Sequence, residues 1–401
     1  MIDLEQLRDC YVTTPSKIVM LVVDGLGGMP HPNSGLSELE TARIPNLDAL
    51  ARKSACGLTT PVLPGITPGS GPGHLALFGY DPLKHMIGRG ALEALGIDVE
   101  LRPGDVAARG NFCTVDSNGL LVDRRAGRIP TNESAPLCER LGQIELEGVQ
   151  LDVFPVQDYR FVLRLRGDSL SELVSETDPQ ITGVAPLPAQ PLSPEAVGTA
   201  QVVNRFLDQA KQLLAEEERA NMVMLRGFAQ LPDLPAMGKV YRLDPVAIAA
   251  YPMYRGLATV AGMEVIPTGH TFADEVETLQ RHFNDHDFFF IHYKPADAAG
   301  EDGDFDAKVQ RLEELDPFIP QIKELEPDVL LVVGDHATPA VLAAHSWHPV
   351  PFLLNSKLTA GEGIDAFNER TCAMGSIGRI QATQVMLLAL AHAGKLNKFG
   401  P

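Results

Sequence analysis

The chain has 401 residues, of which 45% are hydrophobic and 21% are charged, as in an ordinary globular protein. A single core rarely serves so long a chain, so we expect one large domain and a smaller one. The formal net charge of −19 argues against nucleic acid or an anionic membrane as a partner, because both require a basic face.

Three features of the sequence indicate the compartment. No apolar run approaches the roughly 20 residues that span a bilayer. The N-terminal residues lack the basic and then apolar pattern of a secretory signal. The cysteines form no Cys-x-x-Cys pair, which favours free thiols in a reducing environment. We therefore expect a cytoplasmic protein with no membrane partner.

Four short apolar runs predict buried strands, at residues 17–23, 221–226, 287–292 and 328–335. Nearly continuous apolar runs are typical of parallel strands that are covered on both faces. Helices are predicted between and after them, at residues 46–55, 195–217, 305–315 and 381–393. In open α/β sheets, ligands bind at the carboxyl ends of the strands. We therefore expect a site where these strands end, at Asp24, Arg226, His292 and Asp335.

A stretch rich in glycine and proline surrounds Ser70 and leads directly into an apolar run. A serine on such a turn, followed by the first turn of a helix, has an exposed hydroxyl and free backbone N–H groups nearby. That arrangement suits a nucleophile that accepts a phosphoryl group. Considered alone, the stretch is more simply a surface turn. The acidic and histidine residues elsewhere in the chain favour the catalytic interpretation.

The pattern of the sequence changes near residue 105. From there to residue 182, short alternating segments separated by turn residues predict a small inserted α+β domain with an antiparallel sheet. A proline-rich connector at residues 183–194 would lead back to the main sheet. The predicted domains are therefore residues 1–104 with 183–401, and the insert 105–182.

The predicted insert contains a basic cluster at Arg124, Arg125 and Arg128, and Arg160 follows it. In so acidic a protein, clustered arginines favour recognition of phosphate or carboxylate, because the guanidinium group makes two-point contacts. For Arg164 and Arg166 a solvated strand edge is an equally good interpretation.

Carboxylates and imidazoles are mixed late in the chain, without thiolates. They occur at Asp297 and Glu301, at Asp335 and His336, and at His345. Such a set suits Mn²⁺, Mg²⁺ or Zn²⁺. His348 is the alternative to His345, although a lone histidine more often supports a ligand than acts as one. Asp302 and Asp304 are expected to cap the helix that begins at residue 305.

In this order, the motifs resemble those of the archaeal-type 2,3-bisphosphoglycerate-independent phosphoglycerate mutases of the alkaline phosphatase superfamily. The resemblance covers nearly the whole chain and lies in residues 22–28, 68–70, 74–82, 88–96, 123–128, 297–300, 334–339, 345 and 349–351. It implies an α/β fold with an alkaline-phosphatase-like, mostly parallel sheet flanked by helices. The smaller inserted α+β domain would be a substrate-binding lid.

The resemblance also implies a site with two divalent cations around Ser70, the phosphoryl-accepting nucleophile. One ion would be held by Asp24, Ser70, Asp335 and His336, and the other by Asp297, Glu301 and His345. The family usually has histidine where this chain has Glu301. A carboxylate there favours Mn²⁺ or Mg²⁺, with Zn²⁺ or Co²⁺ as alternatives. Asp302 or Asp304 could replace Glu301 as the ligand.

The implied enzyme is an isomerase of glycolysis and gluconeogenesis that interconverts 3-phosphoglycerate and 2-phosphoglycerate. It would work through a phosphoserine and without 2,3-bisphosphoglycerate. The expected substrate-binding residues are Arg124, Arg125, Arg128, Arg160, Arg226 and Lys294. A metal-dependent phosphomonoesterase, a phosphopentomutase-like enzyme and a catalytically silent phosphometabolite-binding protein are the alternatives. The sequence leaves open whether the protein is a monomer or a homo-oligomer.

Overall fold

The computed structural model describes residue 7, residues 9–361 and residues 364–400. The chain forms two compact units, one of residues 1–86 and 234–401 and the other of residues 87–233. None of the helices in the described ranges combines the length and the apolar content needed to traverse a bilayer.

Residues 1–86 contain, in chain order, β1 Ile18–Val23, α1 Glu38–Thr41, α2 Pro45–Ala51, β2 Ala55–Thr60 and α3 Ser70–Leu77. Residues 87–233 contain α4 Arg89–Gly96, β3 Val106–Val115, β4 Leu121–Asp123, α5 Thr131–Leu141, β5 Val149–Pro155, β6 Arg160–Gly167, α6 Val197–Leu213 and β7 Met222–Ala229.

Residues 234–401 contain, in their first half, α7 Met237–Tyr241, β8 Pro245–Ile248, α8 Pro252–Val260, β9 Glu264–Val265, α9 Phe272–His282, β10 Phe288–Tyr293 and α10 Pro295–Glu301. Their second half contains α11 Phe305–Leu315, α12 Phe318–Lys323, β11 Val329–Val333, β12 Val350–Ser356, α13 Glu369–Cys372, β13 Gly378–Gln381 and α14 Val385–His392.

The first unit is built on an eight-stranded sheet with the order β13-β2-β12-β11-β1-β10-β8-β9. Strand β1 is central and pairs in parallel with both β10 and β11. Strand β12 runs antiparallel to β11 and β2. Helices α2, α9, α11 and α12 contribute to the apolar core on one face. The predicted α/β fold with a large, mostly parallel sheet flanked by helices is confirmed.

Three of the four predicted strands lie side by side in this sheet. Every residue of β1, β10 and β11 is buried, which explains their continuous apolar sequences. Because the strands are parallel, the residues that follow them meet at one edge of the sheet. That edge carries the candidate site.

The second unit contains a five-stranded sheet with the order β4-β3-β6-β5, to which β7 is added by pairing with β3. Its pairings are antiparallel, as predicted for the insert. Helices α5 and α6 contribute to the core on one face.

The predicted place of residues 221–226 in the main sheet is wrong. These residues begin β7, which pairs with β3 in the second unit and sets Arg226 opposite Arg109. Arg226 therefore lies within a strand of the second unit and does not end a strand of the main sheet. An apolar run reports that a strand is buried but does not identify the strand with which it pairs.

The predicted domain boundaries at residues 105 and 182 are too narrow. The proline-rich segment bonds to β4, since the backbone N–H of Leu121 donates to the Val184 carbonyl and that of Gly183 donates to the Leu121 carbonyl. Helix α6 buries Val203 and Phe206 in the core of the same unit. The segment is therefore part of the second unit and does not connect the two domains.

Most predicted helices are confirmed with shorter bounds, and α11 matches the predicted range 305–315. The side chain of Asp304 accepts a hydrogen bond from the backbone N–H of Ala307 at 2.9 Å, so the predicted cap is present. Asp302 instead ends α10 and does not cap α11.

Candidate active site

Ser70 is the first residue of α3 and is buried at the edge where β11 ends. Its hydroxyl oxygen lies 3.2 Å from Nε2 of His336. A Cβ atom on Gly73 would collide with the backbone carbonyl of Asp335, so only glycine lets the helix approach this closely. The glycine-rich stretch therefore has a packing role as well as a turn-forming one.

A first group of candidate metal ligands consists of Asp24, Asp335 and His336, all fully buried. Asp24 directly follows β1, and the other two residues follow β11. Nε2 of His336 lies 3.3 Å from Oδ1 of Asp24 and 3.1 Å from Oδ2 of Asp335. The strand ends thus bring together ligand atoms from positions far apart in the sequence, as predicted.

The hydrogen bonds around His336 indicate which of its nitrogens carries the proton. The Thr338 hydroxyl donates to Oδ1 of Asp297 at 2.6 Å, so at 2.9 Å from Nδ1 of His336 it must accept. Nδ1 is then protonated, and Nε2 presents its lone pair to two carboxylates. Buried acceptors that converge in this way repel one another, and a divalent cation would relieve the repulsion. The donor set therefore fits a hard divalent ion.

A second group of candidate ligands consists of Asp297, His336 and His345. Nδ1 of His345 donates to the Pro68 carbonyl at 3.0 Å, which turns Nε2 towards Oδ1 of Asp297 at 3.6 Å. The rings of His345 and His336 stack with 3.7 Å between their centroids. The structure therefore brings His345 to the site, and His336 belongs to both groups.

Glu301 and His348 lie beside this second group. Oε1 of Glu301 is 3.5 Å from Nε2 of His345, and its side chain is 55% exposed. Nδ1 of His348 lies 3.0 Å from the hydroxyl of Ser346. Neither residue belongs to the two groups of converging ligand atoms. The assignment of Glu301 as a ligand stays a prediction.

The pKa shifts at this edge indicate an excess of negative charge. Burial raises the pKa of Asp24, but the nearby His292, 3.4 Å away, and the charge of Lys294 hold it well below its usual range. The pKa of Asp297 is raised by burial and by the charge of Asp24. Burial opposes protonation of His345, yet its bond with Glu301 and the charge of Asp297 raise its pKa to about 9.

Lys294 lies among these carboxylates. Its ammonium is 3.1 Å from Oδ2 of Asp24 and also contacts Oδ2 of Asp297. Burial lowers the pKa of Lys294, but the two aspartates raise it to well above the usual range. Lys294 was predicted to contact the substrate. In the structure it already pairs with one aspartate from each group of candidate ligands, so a contact with substrate stays a prediction.

Three aromatic or imidazole side chains, of Tyr254, His74 and His292, surround Asp24 and Asp335. The sequence analysis expected His292 at this edge, but it did not assign Tyr254 or His74 to the site. The Tyr254 hydroxyl donates to Oδ2 of Asp24, and its ring stacks on His292 with 3.5 Å between centroids. Nδ1 of His74 lies 2.8 Å from the Ser70 carbonyl and 3.2 Å from Oδ2 of Asp335. His74 is one helical turn after Ser70, which could have indicated it, whereas Tyr254 has no signal in the sequence.

The predicted arginines all belong to the second unit, where two of them share a carboxylate. Arg124 makes a two-point contact with Asp178, at 3.0 and 2.7 Å. Arg226 lies 3.5 Å from the same carboxylate and 3.2 Å from Glu176. Arg125 and Arg128 are exposed. Arg164 and Arg166 pair with Asp152 and Asp105. The solvated strand edge considered for them is wrong, because β6 pairs with strands on both sides and Arg164 is buried.

Arg160 belongs to a second cluster that the sequence did not predict. Nη1 of Arg109 lies 3.1 Å from Oε1 of the buried Glu93. Burial raises the pKa of Glu93 above its usual value, although the charges of Arg109, Arg160 and Arg89 oppose the rise. The pairing of Asn111 with Arg160 sets Arg109, Asn111 and Arg160 on one face of the sheet. Three arginines around one carboxylate leave a net positive charge, which attracts an anion.

Comparisons with known proteins agree with this chemistry. A model of the 2,3-bisphosphoglycerate-independent phosphoglycerate mutase family matches residues 51–220. A Thermosipho africanus protein named probable 2,3-bisphosphoglycerate-independent phosphoglycerate mutase is 50% identical over 387 residues, 96% of each chain. A Thermus thermophilus protein of the same name is 47% identical over 399 residues, 98% of each chain.

Two solved structures share the fold. A Pyrococcus horikoshii protein superposes with a TM-score of 0.83 at 25% identity, covering 96% of this chain and 99% of its own. A cofactor-independent phosphoglycerate mutase from Thermoplasma acidophilum superposes with a TM-score of 0.70 at 28% identity, covering 94% and 100%. This chain belongs to the family of 2,3-bisphosphoglycerate-independent phosphoglycerate mutases.

Proposed function

We propose that this chain is an isomerase that interconverts 3-phosphoglycerate and 2-phosphoglycerate without 2,3-bisphosphoglycerate. The observation that carries the proposal is the buried Ser70 hydroxyl, 3.2 Å from Nε2 of His336 and adjacent to the candidate ligands. Membership of the mutase family supports the same substrate.

Ser70 is the proposed nucleophile. Its hydroxyl gives up its proton as Oγ forms a bond to phosphorus, while the bond from phosphorus to the 3-oxygen of glycerate breaks and that oxygen takes up a proton. The 2-hydroxyl of glycerate then attacks the phosphoserine, loses its proton and restores the Ser70 hydroxyl. Because Ser70 begins α3, unpaired backbone N–H groups of the first helical turn can hold the phosphoryl oxygens.

Two divalent cations fit the donor set, and Mn²⁺ or Mg²⁺ is favoured over Zn²⁺ or Co²⁺. We assign Asp24, Ser70, Asp335 and His336 to one ion and Asp297, Glu301 and His345 to the other. When bound, such ions would neutralise charge on the phosphoryl oxygens and lower the pKa of the serine hydroxyl. Lys294 would contact the phosphoryl group from the same edge.

The arginines of the second unit are the proposed groups that bind the substrate anions. Arg124, Arg125, Arg128, Arg160 and Arg226 were expected in this role, and the cluster of Arg109 and Glu93 adds to it. A guanidinium pair suits both the carboxylate and the phosphate of phosphoglycerate. Oε2 of Glu93 and Oδ1 of Asn111 are buried acceptors without a hydrogen-bond partner in the described part of the chain, and a substrate hydroxyl could supply one.

The proposed location is the cytoplasm, where glycolysis and gluconeogenesis take place. All five cysteines are free and buried, as thiols in a reducing compartment would be. A survey of the protein's distribution in fractionated cells tests this location.

A coupled assay tests the activity. The purified protein is given Mn²⁺ and 3-phosphoglycerate with enolase, in the absence of 2,3-bisphosphoglycerate, and inorganic phosphate is measured in parallel. We expect enolase product to form without release of phosphate. Phosphate as the main product would identify a phosphomonoesterase, and no turnover with Mn²⁺, Mg²⁺, Zn²⁺ or Co²⁺ would indicate a silent binding protein.

The matched control for this assay is Ser70→Ala, which removes the hydroxyl and leaves the backbone of α3 in place. We expect the variant to keep its circular dichroism spectrum and to lose at least about 10³-fold of the rate, because it has no nucleophile. A variant with the wild-type rate would exclude Ser70 as the residue that accepts the phosphoryl group.

A further inference from the structure

Lys308 is a fully buried lysine on α11, next to the two loops that carry the candidate ligands. Its ammonium donates to the carbonyl of Gly27 at 3.0 Å and to the carbonyl of Thr338 at 2.8 Å. Gly27 follows Asp24 by three positions, and Thr338 follows His336 by two. One side chain therefore ties the loop after β1 to the loop after β11.

Glu38 connects the same two loops from the other side. Oε2 of Glu38 accepts from the backbone N–H of Met29 at 3.2 Å, and Oε1 accepts from that of Ala340 at 2.7 Å. The ammonium of Lys308 lies 3.9 Å from Oε1 of Glu38, and both side chains are fully buried. A Cβ on Gly28 would collide with this carboxylate, so the loop is held directly against it.

Burying an ammonium and a carboxylate is costly unless both are paired and hydrogen-bonded. Lys308 and Glu38 meet both conditions, and all four backbone partners belong to the two ligand-bearing loops. The catalytic step described above uses neither residue. Lys308 and Glu38 together connect the backbone that follows Asp24 to the backbone that follows His336.

We propose that Lys308 is a positioning residue that sets the affinity of the site for divalent cations by holding these two loops together. The inference rests on the proposed metal site and goes beyond it, because Lys308 itself is not a ligand. Residues that orient metal ligands typically contribute about 10–100-fold to metal affinity.

The test compares Lys308→Met with Lys395→Met. Lys395 is a matched control, because it too is fully buried and donates both to a carbonyl, of Thr14 at 2.7 Å, and to a carboxylate, of Asp287 at 2.9 Å. Thr14 and Asp287 precede β1 and β10, so this second lysine lies at the opposite end of the strands from Asp24. Both variants lose a buried lysine, but only Lys308→Met loses the connection between the two loops that carry the candidate ligands.

Mn²⁺ affinity is measured by titration calorimetry of metal-free protein, and folding is checked by circular dichroism and thermal unfolding in EDTA. We expect Lys308→Met to bind Mn²⁺ about 10–100-fold more weakly than the wild type, and Lys395→Met to bind within about twofold of it. The double variant Lys308→Met with Glu38→Gln removes the unpaired buried carboxylate. If Lys308→Met does not fold, this double variant is compared with Glu38→Gln alone, so that the difference in Mn²⁺ affinity still reports the loss of Lys308.

Each outcome decides a different point. A folded Lys308 variant with wild-type Mn²⁺ affinity overturns the inference and leaves the proposed function standing. Equal weakening in Lys308→Met and Lys395→Met also overturns it, since the effect would then belong to any buried lysine. Absence of Mn²⁺ binding in the wild type would instead contradict the proposed metal site.

Discussion

The hydroxyl oxygen of Ser70 lies 3.2 Å from Nε2 of His336, although 266 residues separate the two in the chain. The contact exists because α3 packs with Gly73 against the backbone of Asp335, at the point where β11 ends. The proposed nucleophile, at a helix N-terminus, is thereby set beside two groups of candidate metal ligands. In this mutase the central parallel strands and one glycine are what assemble the candidate site.

Replacing Tyr254 by Phe should weaken metal binding. The variant keeps the ring that stacks on His292 but loses the hydroxyl that donates to Asp24. Because such a group orients the ligand, we expect Mn²⁺ affinity to fall by about tenfold or more. Titration calorimetry on metal-free protein measures the change.

The control is Tyr293→Phe, which removes a hydroxyl that donates to the Arg311 carbonyl at 2.6 Å. It should leave Mn²⁺ affinity unchanged. Equal affinities of Tyr254→Phe and the wild type would show that the hydroxyl does not orient Asp24.

Replacing Arg160 by Ala should impair substrate binding more than turnover. Arg160 contributes to the positive cluster around Glu93 in the second unit. A hydrogen bond to a charged group is worth about 1.5–3 kcal/mol, so the KM for 3-phosphoglycerate should rise roughly 10–100-fold. Steady-state kinetics measure KM and kcat separately.

The matched control is Arg102→Ala, also in the second unit, which removes an exposed pair with Glu100. Its KM should stay within about twofold of the wild type, because exposed pairs contribute little. If Arg160→Ala kept the wild-type KM, its assignment to the substrate anion would be wrong.

Replacing Glu301 by His should change which metal the site prefers. Glu301 lies 3.5 Å from Nε2 of His345, next to the second group of ligands. An imidazole suits Zn²⁺ and a carboxylate suits Mn²⁺ or Mg²⁺, so we expect the ratio of Zn²⁺ to Mn²⁺ affinity to rise at least about tenfold. Competition titrations with the two metals measure the ratio.

Asp302→His provides the comparison, since Asp302 is the neighbouring residue considered as an alternative ligand. We expect that variant to leave the affinity ratio unchanged. A larger change in Asp302→His than in Glu301→His would transfer the ligand assignment to Asp302.

Glu275 should make stability depend on pH. Its carboxylate accepts from the backbone N–H of Ala250 at 2.9 Å and of His292 at 3.2 Å. Burial nevertheless raises its pKa from 4.5 to about 8, although these two bonds oppose the rise. Between pH 4.5 and about pH 8, the Glu275 side chain therefore keeps a proton in the folded state that it has lost in the unfolded state. The free energy of unfolding therefore falls as pH rises, by up to about 1.4 kcal/mol per pH unit.

Glu275→Gln removes this titration, so the stability of the wild type relative to the variant should be greatest at pH 5 and should shrink towards pH 8. Thermal unfolding in EDTA at several pH values measures the difference. Glu277→Gln, an exposed change on the same helix, is the control for the loss of a carboxylate that is not buried. A constant difference for Glu275→Gln would contradict the raised pKa.

Much of the sheet could be predicted because burial leaves a direct pattern in the sequence. The central strands β1, β10 and β11 are continuous apolar runs, and their following residues Asp24 and Asp335 were expected at one edge. The strand that ends near Arg226 has the same pattern but pairs with β3. The apolar pattern of a strand shows how much of the strand is buried, whereas its pairing partners depend on contacts between distant segments of the chain.

The residues that support the candidate ligands, Lys308 and Tyr254, could likewise be predicted only in part from the sequence. Lys308 occurs where α11 turns its buried face inward, with Leu312 and Leu315, so its position could have marked it as unusual. Which carbonyls it binds could not have been predicted, because Gly27 and Thr338 lie 281 and 30 residues away. Tyr254 reaches Asp24 across 230 residues without any local motif.

The sequence by itself determined the family, the nucleophile candidate and the principal ligand candidates, because these depend on residue types at fixed local spacings. Only the tertiary structure decided that His336 belongs to both ligand groups, that β7 lies in the second unit and that Arg109 and Glu93 form a second cluster with Arg160. The physical reason is that hydrogen bonds, ion pairs and strand pairing act between atoms a few ångströms apart, and sequence distance does not determine which atoms those are.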